Sequence, residues 1–317
     1  MFSRTSSAPA SSKCAHTLEE IEKSNRRPDL NVVTWNIAAP NNNPFEFWSS
    51  HENQEYDDLM FSVQNCLDDP GDMDIDVAGI FSQAMYEELK AELKQQGVRD
   101  LELLDSVWEK DFKSRKAVSG FLKDQSFGEK RLISMPDRVT NSVRSSCGRE
   151  MFRPTPISGF EGDMCDVPTW WGLWKQYMFA LPVRMRGEHL PNVFSLLQTI
   201  PRSKYPALTP PEEAISRALQ TLCLALFDAI FTHLLSRLAP ATWQPLRRAL
   251  HAALFASKPA TSVALLHAHH AHADVIFIQE ASDAFAARAG ACLAHAVLRP
   301  AGADGRRRQM SLILASR

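Results

Sequence analysis

Apolar positions follow two different rhythms along this chain. Between about residue 57 and residue 256 they recur every three or four positions, the spacing of an amphipathic helix. Nearer the two ends the apolar runs are short and unbroken. Val32-Val33-Thr34-Trp35 and Val275-Ile276-Phe277-Ile278 are β-branched and aromatic, which predicts strands covered on both faces. Each run stops at polar side chains, Asn36 in the first and Gln279-Glu280 in the second, and a third run, Ser311 to Ala315, is expected as a further strand of the same small sheet.

The helical stretch divides at its turn signals. A short helix is expected over Asp57 to Cys66, ended by Asp68-Asp69-Pro70-Gly71. Gln83 to Gln96, with Met85, Leu89 and Leu93 at spacing four and Gly97 at its end, forms a helical hairpin with Val98 to Phe112. Pro136 to Pro168 is rich in Pro, Gly and Ser and is expected to be mostly loop, with a subdomain boundary near Cys147 to Pro156. Thr209-Pro210-Pro211-Glu212 is a capping-box start for a helix running to Leu238. Two more follow, Thr242 to Ala256 and Ser262 to Ala271, the latter carrying Val263, Leu266 and His270 on one face.

Strand ends of the type Trp35-Asn36-Ile37, and Gln279-Glu280 after an apolar run opening Ala273-Asp274, resemble the endonuclease/exonuclease/phosphatase (DNase I-like) superfamily of magnesium-dependent phosphoesterases. The closing run Gln309 to Arg317, which finishes in Ser316-Arg317, resembles a later core strand of that superfamily. The resemblance implies that Glu280 is the carboxylate ligand of Mg2+ and that Asn36 is a catalytic residue, binding the metal or the scissile phosphate. It implies an α+β fold, a partial DNase I-like α/β sandwich with a small mixed sheet and a large, mainly helical insertion. Residues 31–40 and 258–317 would form the partial core, 41–257 the insertion, and 1–30 a disordered or targeting tail.

The superfamily completes its site with an Asp-x-Asn element and a C-terminal Asp-His pair. After Glu280 this chain has Asp283 and Asp304 as its acids, His295 as its histidine, and no asparagine. Asp29-Leu30-Asn31 has the Asp-x-Asn form but precedes the first strand and reads as a turn. Asn36 and Glu280 stand 244 positions apart (280 − 36), whereas a strand, crossover helix and parallel strand need only about 30 residues. The implied function is hydrolysis of a phosphodiester or phosphomonoester by an incomplete domain, catalytically weak as it stands. The alternative is a non-catalytic interaction module on a degenerate phosphoesterase core, its helical insertion engaging a protein partner.

Composition narrows the setting. With 44% hydrophobic and 23% charged residues in 317, the chain reads as globular, and a net charge of −2 exerts no general pull on nucleic acid or anionic membrane. Six scattered cysteines without a Cys-x-x-Cys pair argue against zinc or a disulfide framework and for a reducing, cytoplasmic setting. The Ser- and Ala-rich start lacks a secretory core and reads as a disordered tail or an organelle transit peptide. Leu219 to Leu238 is apolar, but Gln220, Asp228, His233 and Arg237 interrupt it, so a buried helix is expected rather than a membrane span.

Other clusters take structural readings. His267, His269, His270 and His272 end a helix, where imidazoles meet the last carbonyls. Asp72, Asp74 and Asp76 begin like a calcium loop, which then fails at Val77 and Gln83. Trp170, Trp171 and Trp174 have the spacing of a helix anchored in a core. Arg306-Arg307-Arg308 reads as a solvated turn. Neither a Gly-x-Ser-x-Gly elbow nor a phosphate-cradling glycine loop occurs.

Overall fold

The computed structural model describes residues 29–38, 43–45, 48, 52–185, 187–301 and 309–317. The tail expected over residues 1–30, apart from its last two positions, and the Arg306-Arg307-Arg308 turn lie outside the described residues.

Strand β1 (Val32–Asn36) is followed by a long, mainly helical body: α1 (Gln54–Asp68), α2 (Gln83–Gln95), α3 (Leu101–Lys110), α4 (Ser126–Lys130) and α5 (Ser134–Thr140). A hairpin of β2 (Ser142–Arg144) and β3 (Glu150–Phe152) comes next, then α6 (Val167–Lys175) and a second hairpin, β4 (Val183–Met185) with β5 (Glu188–Leu190). The body continues with α7 (Pro210–Ala214), α8 (Ser216–Leu238), α9 (Trp243–His251) and α10 (Lys258–His270). The chain then returns to the sheet with β6 (Val275–Ala281), α11 (Asp283–Cys292), β7 (His295–Leu298) and β8 (Met310–Ser316). The class is α+β.

The three unbroken apolar runs do lie in one sheet, in the order β1-β6-β8-β7. β1 runs parallel to β6, with Asn36 opposite Gln279, and β8 is antiparallel to both β6 and β7. At the amino edge the Asn31 amide donates to the Asp274 carboxylate at 2.8 Å, so Asp29-Leu30-Asn31 serves as a strand lead-in. One face of the sheet is covered: Ile276, Ile278, Leu312 and Leu314 pack with Val263 and Leu266 of α10 and Phe285 and Ala289 of α11. Among the described residues no element packs on the other face, correcting the expectation of strands buried on both sides. Val32 (51% exposed), Phe277 (40%), Ile313 (38%) and Leu298 (52%) stand on it or at its edge. A continuous apolar run cannot distinguish a two-sided strand from a one-sided strand with apolar residues on its open face.

A second, larger core is built around α8, whose residues from Ala218 to Leu235 are mostly buried. α8 is long and apolar enough to cross a bilayer, and 83% of its most apolar window is buried inside the fold. The expected single helix from Thr209 breaks at Ile215 (φ −99°, ψ 19°), which separates the capping-box turn α7 from α8. The tryptophan trio is core: Trp170 and Trp174 expose nothing and Trp171 only 4%. Their indoles donate to the Pro154 carbonyl (2.7 Å), the Asp228 carboxylate (2.9 Å) and the Glu88 carboxylate (2.8 Å).

Inside this core lies a buried charge network that no local pattern announced. Arg153 donates to Asp228 through Nε at 2.7 Å and through one terminal nitrogen at 3.3 Å, and also reaches Asp137 at 2.6 Å and Thr140 Oγ1 at 2.8 Å. The Thr155 hydroxyl completes the Asp228 cage at 2.7 Å. Burial pushes the Asp228 carboxyl upward, and the Arg153 guanidinium opposes that rise. Arg153 itself stays charged between its two carboxylates. The region expected as loop, residues 136–168, therefore holds both a hairpin and the pivot of the core.

Candidate functional site

The carboxyl ends of the parallel pair β1 and β6 open onto a cleft of about 1320 Å³ between the sheet and the helical body. A residue with positive φ stands near the carboxyl end of each strand, Ala38 two residues beyond β1 at φ 57° and Glu280 one residue before the end of β6 at φ 61°. Neither is glycine, and that conformation costs an L-residue about 1–2 kcal/mol. Strain of this kind collects where the surrounding structure fixes a side chain's direction. At Glu280 the pairing of β6 with β8 also loses its register, between Ile278 and Ala281. The backbone thus turns out of the ladder at this carboxylate, and Glu280 lines the cleft.

Three features surround it. Lys258, the first residue of α10, lines the same wall and donates to the Ala38 carbonyl at 3.0 Å. Burial lowers the Lys258 pKa, and the negative charge of Glu280 acts against that fall. The first turns of α10 and α11 also open here, through Pro259 and Ser262 of one and Ser282, Asp283 and Phe285 of the other. The Ser282 hydroxyl caps α11 by accepting from the Phe285 amide at 3.1 Å, whereas α10 has no side-chain cap. Two helix N-termini thus bring their positive ends to the carboxyl edge of the sheet, where open α/β sheets gather ligands.

Asn36 sits at the same edge on a different face. It pairs in register with Gln279, and its side-chain oxygen accepts from the Ala38 amide at 2.8 Å. It therefore shapes the Ala38 corner directly. Glu280 is directed into the cleft, while Asn36 is exposed and stands on the side of Thr34 and Gln279, which are joined by a 3.2 Å hydrogen bond.

The remaining acid and histidine residues after Glu280 divide between the two ends of the sheet. Asp283 lines the cleft and pairs with Arg299 at 3.1 Å. His295 faces Ser316 in the β7–β8 register, and its ring lies 2.8 Å from the Ala273 carbonyl, at the amino end of β6 and so opposite to Glu280. Among the described residues no group of three or more His, Cys, Asp or Glu side chains is placed to hold a metal ion. Two of the Asp72-Asp74-Asp76 carboxylates are engaged elsewhere: Asp74 accepts from the Val118 and Ser119 amides and Asp76 pairs with Lys116 at 2.9 Å.

The model of a domain of unknown function, DUF8234, matches residues 74–248, more than half of the 317-residue chain. The chain belongs to this family. No curated protein and no solved structure matches it. The DUF8234 domain comprises α2 to α8, the first two thirds of α9, both hairpins and the Arg153–Asp228 pivot. It also supplies most of the cationic cleft wall facing the sheet edge, including Arg138, Arg144, Arg184, Arg247 and Arg248.

Those arginines and Lys258 were not singled out by their sequence context. They come from a helix, two hairpin strands and two later helices, and share no motif. Lys258-Pro259 carried the signal of a helix boundary, which it is, but nothing local indicated that the lysine would meet Glu280. Only the packing of the DUF8234 domain against the sheet brings these charges to one cavity.

Proposed function

We propose that the chain is a phosphoesterase-type protein of endonuclease/exonuclease/phosphatase descent, binding a phosphate ester in the cleft between the sheet and its DUF8234 domain. The observation that carries this reading is the meeting, at the carboxyl edge of β1 and β6, of the left-handed Glu280, Lys258 and the first turns of α10 and α11. The strand-end sequences Trp35-Asn36-Ile37 and Gln279-Glu280 agree with it. A DNase I-like sandwich has two packed sheets, so the partial core here corresponds to one covered sheet.

The donor set suits magnesium in a restricted way. Glu280 offers one hard carboxylate in the cleft, and Mg2+ commonly keeps several waters and takes its other ligands from substrate phosphate. Glu280 would hold the ion, with Asp283 the next acid in the cleft wall. When bound, magnesium supplies charge neutralisation at the phosphate oxygens. The chain's own groups do the rest. Lys258 places a positive charge beside the phosphate, and Asn36 holds the Ala38 corner on which Lys258 rests. The positions after Glu280 supply no second carboxylate–histidine pair at this edge, because His295 lies at the other end of β6. Binding should therefore be stronger than turnover.

The test is hydrolysis of bis(p-nitrophenyl) phosphate with magnesium over hours, comparing the full chain with Glu280→Ala. Slow magnesium-dependent turnover is expected, falling about 100-fold or more in the variant, the scale on which loss of one member of such a unit acts. Turnover that persists in EDTA, or is untouched by Glu280→Ala, would contradict the proposal. The second reading, a non-catalytic module, is favoured by the open sheet face with Phe277 and Ile313 on it. Complete absence of turnover with ester binding retained would select it.

A further inference from the structure

Strand β1 forms one edge of the sheet, beside β6. Two hydrogen bonds fix its ladder: the Asn31 carbonyl accepts from the Val275 amide at 3.3 Å, and the Ile37 amide donates to the Gln279 carbonyl at 3.2 Å. Every second residue of a strand turns its amide and carbonyl to the same neighbour, so Val33 and Trp35 also bond to β6. Val32, Thr34 and Asn36 turn theirs outward. All three residues are exposed, and among the described residues nothing pairs with these backbone groups.

Proteins usually blunt such an edge with a charge, a proline, a bulge or a very short strand. The opposite edge is blunted in this way: β7 has four residues and runs directly into Arg299 and Pro300. β1 has none of these devices. Its five residues, Val-Val-Thr-Trp-Asn, include neither charge nor proline, and its register with β6 is unbroken. Val33 and Trp35 pack on the covered core, while Val32, Thr34 and Asn36 point to the other face.

The strand is also complementary to itself. A two-fold axis at Thr34 sets Thr34 opposite its own copy, Val32 opposite Asn36, and Val33 opposite Trp35. Thr–Thr and aromatic–β-branched pairs are favourable cross-strand neighbours, and no like charges meet. Because the outward groups belong to Val32, Thr34 and Asn36, the pairs these residues form exchange about six hydrogen bonds. The antiparallel sense separates the bulk of the two copies as well. The helical body faces the carboxyl end of β1 across the cleft, so the axis sends the two bodies to opposite ends of the joined sheet.

We infer that β1 is a dimerisation edge, through which two copies of this chain pair antiparallel over Val32–Asn36 and join their sheets into one. The inference stands apart from the phosphoesterase reading and uses neither Glu280 nor the cleft. A contact one strand wide falls short of a permanent interface, so the dimer forms at high concentration and dissociates on dilution.

The experiment is sedimentation velocity of the full chain from about 1 to about 200 μM, for the wild type, Thr34→Lys, Thr34→Glu and an equal mixture of the two variants. The wild type is expected to pass from monomer to dimer over this range. Each variant, folded by circular dichroism, is expected to associate about tenfold or more weakly, because it sets two like charges face to face on the axis. The mixture is expected to regain the dimer, since lysine then opposes glutamate. A wild type that stays monomeric at the top of the range leaves the edge to an extended segment of another protein and overturns the proposal. A dimer untouched by Thr34→Lys, or a mixture no more associated than its parts, overturns it too. Should the variants fail to fold, hydrogen exchange of the wild type decides: the Val32, Thr34 and Asn36 amides are expected to exchange several-fold more slowly in concentrated than in dilute protein, and equal rates overturn the proposal.

Discussion

Replacing Arg153 with alanine is expected to destabilise the chain by about 3–5 kcal/mol, the usual consequence of removing one partner from a buried ion pair. Asp228 is wholly buried, and burial already pushes its carboxyl upward; Arg153 is the cation that opposes that rise. Without the guanidinium, Asp228 keeps only the Thr155 hydroxyl and the Trp174 indole as donors. Asp137 and Thr140 lose a donor at the same time. Urea denaturation followed by far-ultraviolet circular dichroism measures the change. A loss below about 1 kcal/mol, the level of an exposed salt bridge, would mean that the network is not the pivot its burial indicates.

Trp174→Ala is the second large effect, at about 3–5 kcal/mol for emptying a wholly buried aromatic site. The indole packs against Trp171, with ring centroids 5.4 Å apart, and against Phe179 at 6.2 Å, and donates to Asp228. Trp174→Phe separates the two contributions. It keeps most of the packing but leaves one Asp228 lone pair without its donor, so about 1–3 kcal/mol is expected. Equal losses in the two variants would assign the whole effect to the hydrogen bond. Because Trp174 and Arg153 share Asp228, their double variant should fall short of the sum of the single losses.

The strands of the sheet were legible because β-branched runs are local signals, and Val32 to Asn36 and Val275 to Ala281 sit where those runs fall. What the runs could not convey is how many faces are covered, since coverage depends on which elements pack where. The hairpin β2–β3 was missed for a related reason: three-residue strands among Pro, Gly and Ser carry too little alternation to stand out. Helix faces such as Met85, Leu89 and Leu93 were readable because spacing four is itself the burial pattern, and all three are buried. The break at Ile215 was not, because its backbone turn follows from tertiary packing rather than from a Gly or Pro.

The candidate site divides in the same way. Glu280 stands at the end of a readable strand, and its place at the cleft follows from that strand. Asn36 was readable too, but which way its amide turns depends on the Ala38 corner. The cations of the opposite wall are scattered from residue 138 to residue 258 and have no shared local signature. Charges that converge only through tertiary packing are invisible to any window of sequence.

The most direct measurement is calorimetric binding of a non-hydrolysed phosphate diester to the full chain, with magnesium and in EDTA, for the wild type and Glu280→Ala. A phosphoesterase-type cleft should bind the ester at least about tenfold more tightly with magnesium, a difference of about 1.4 kcal/mol, and Glu280→Ala should abolish that gain. Identical affinity with and without magnesium in the wild type, or a magnesium gain that survives Glu280→Ala, would contradict it.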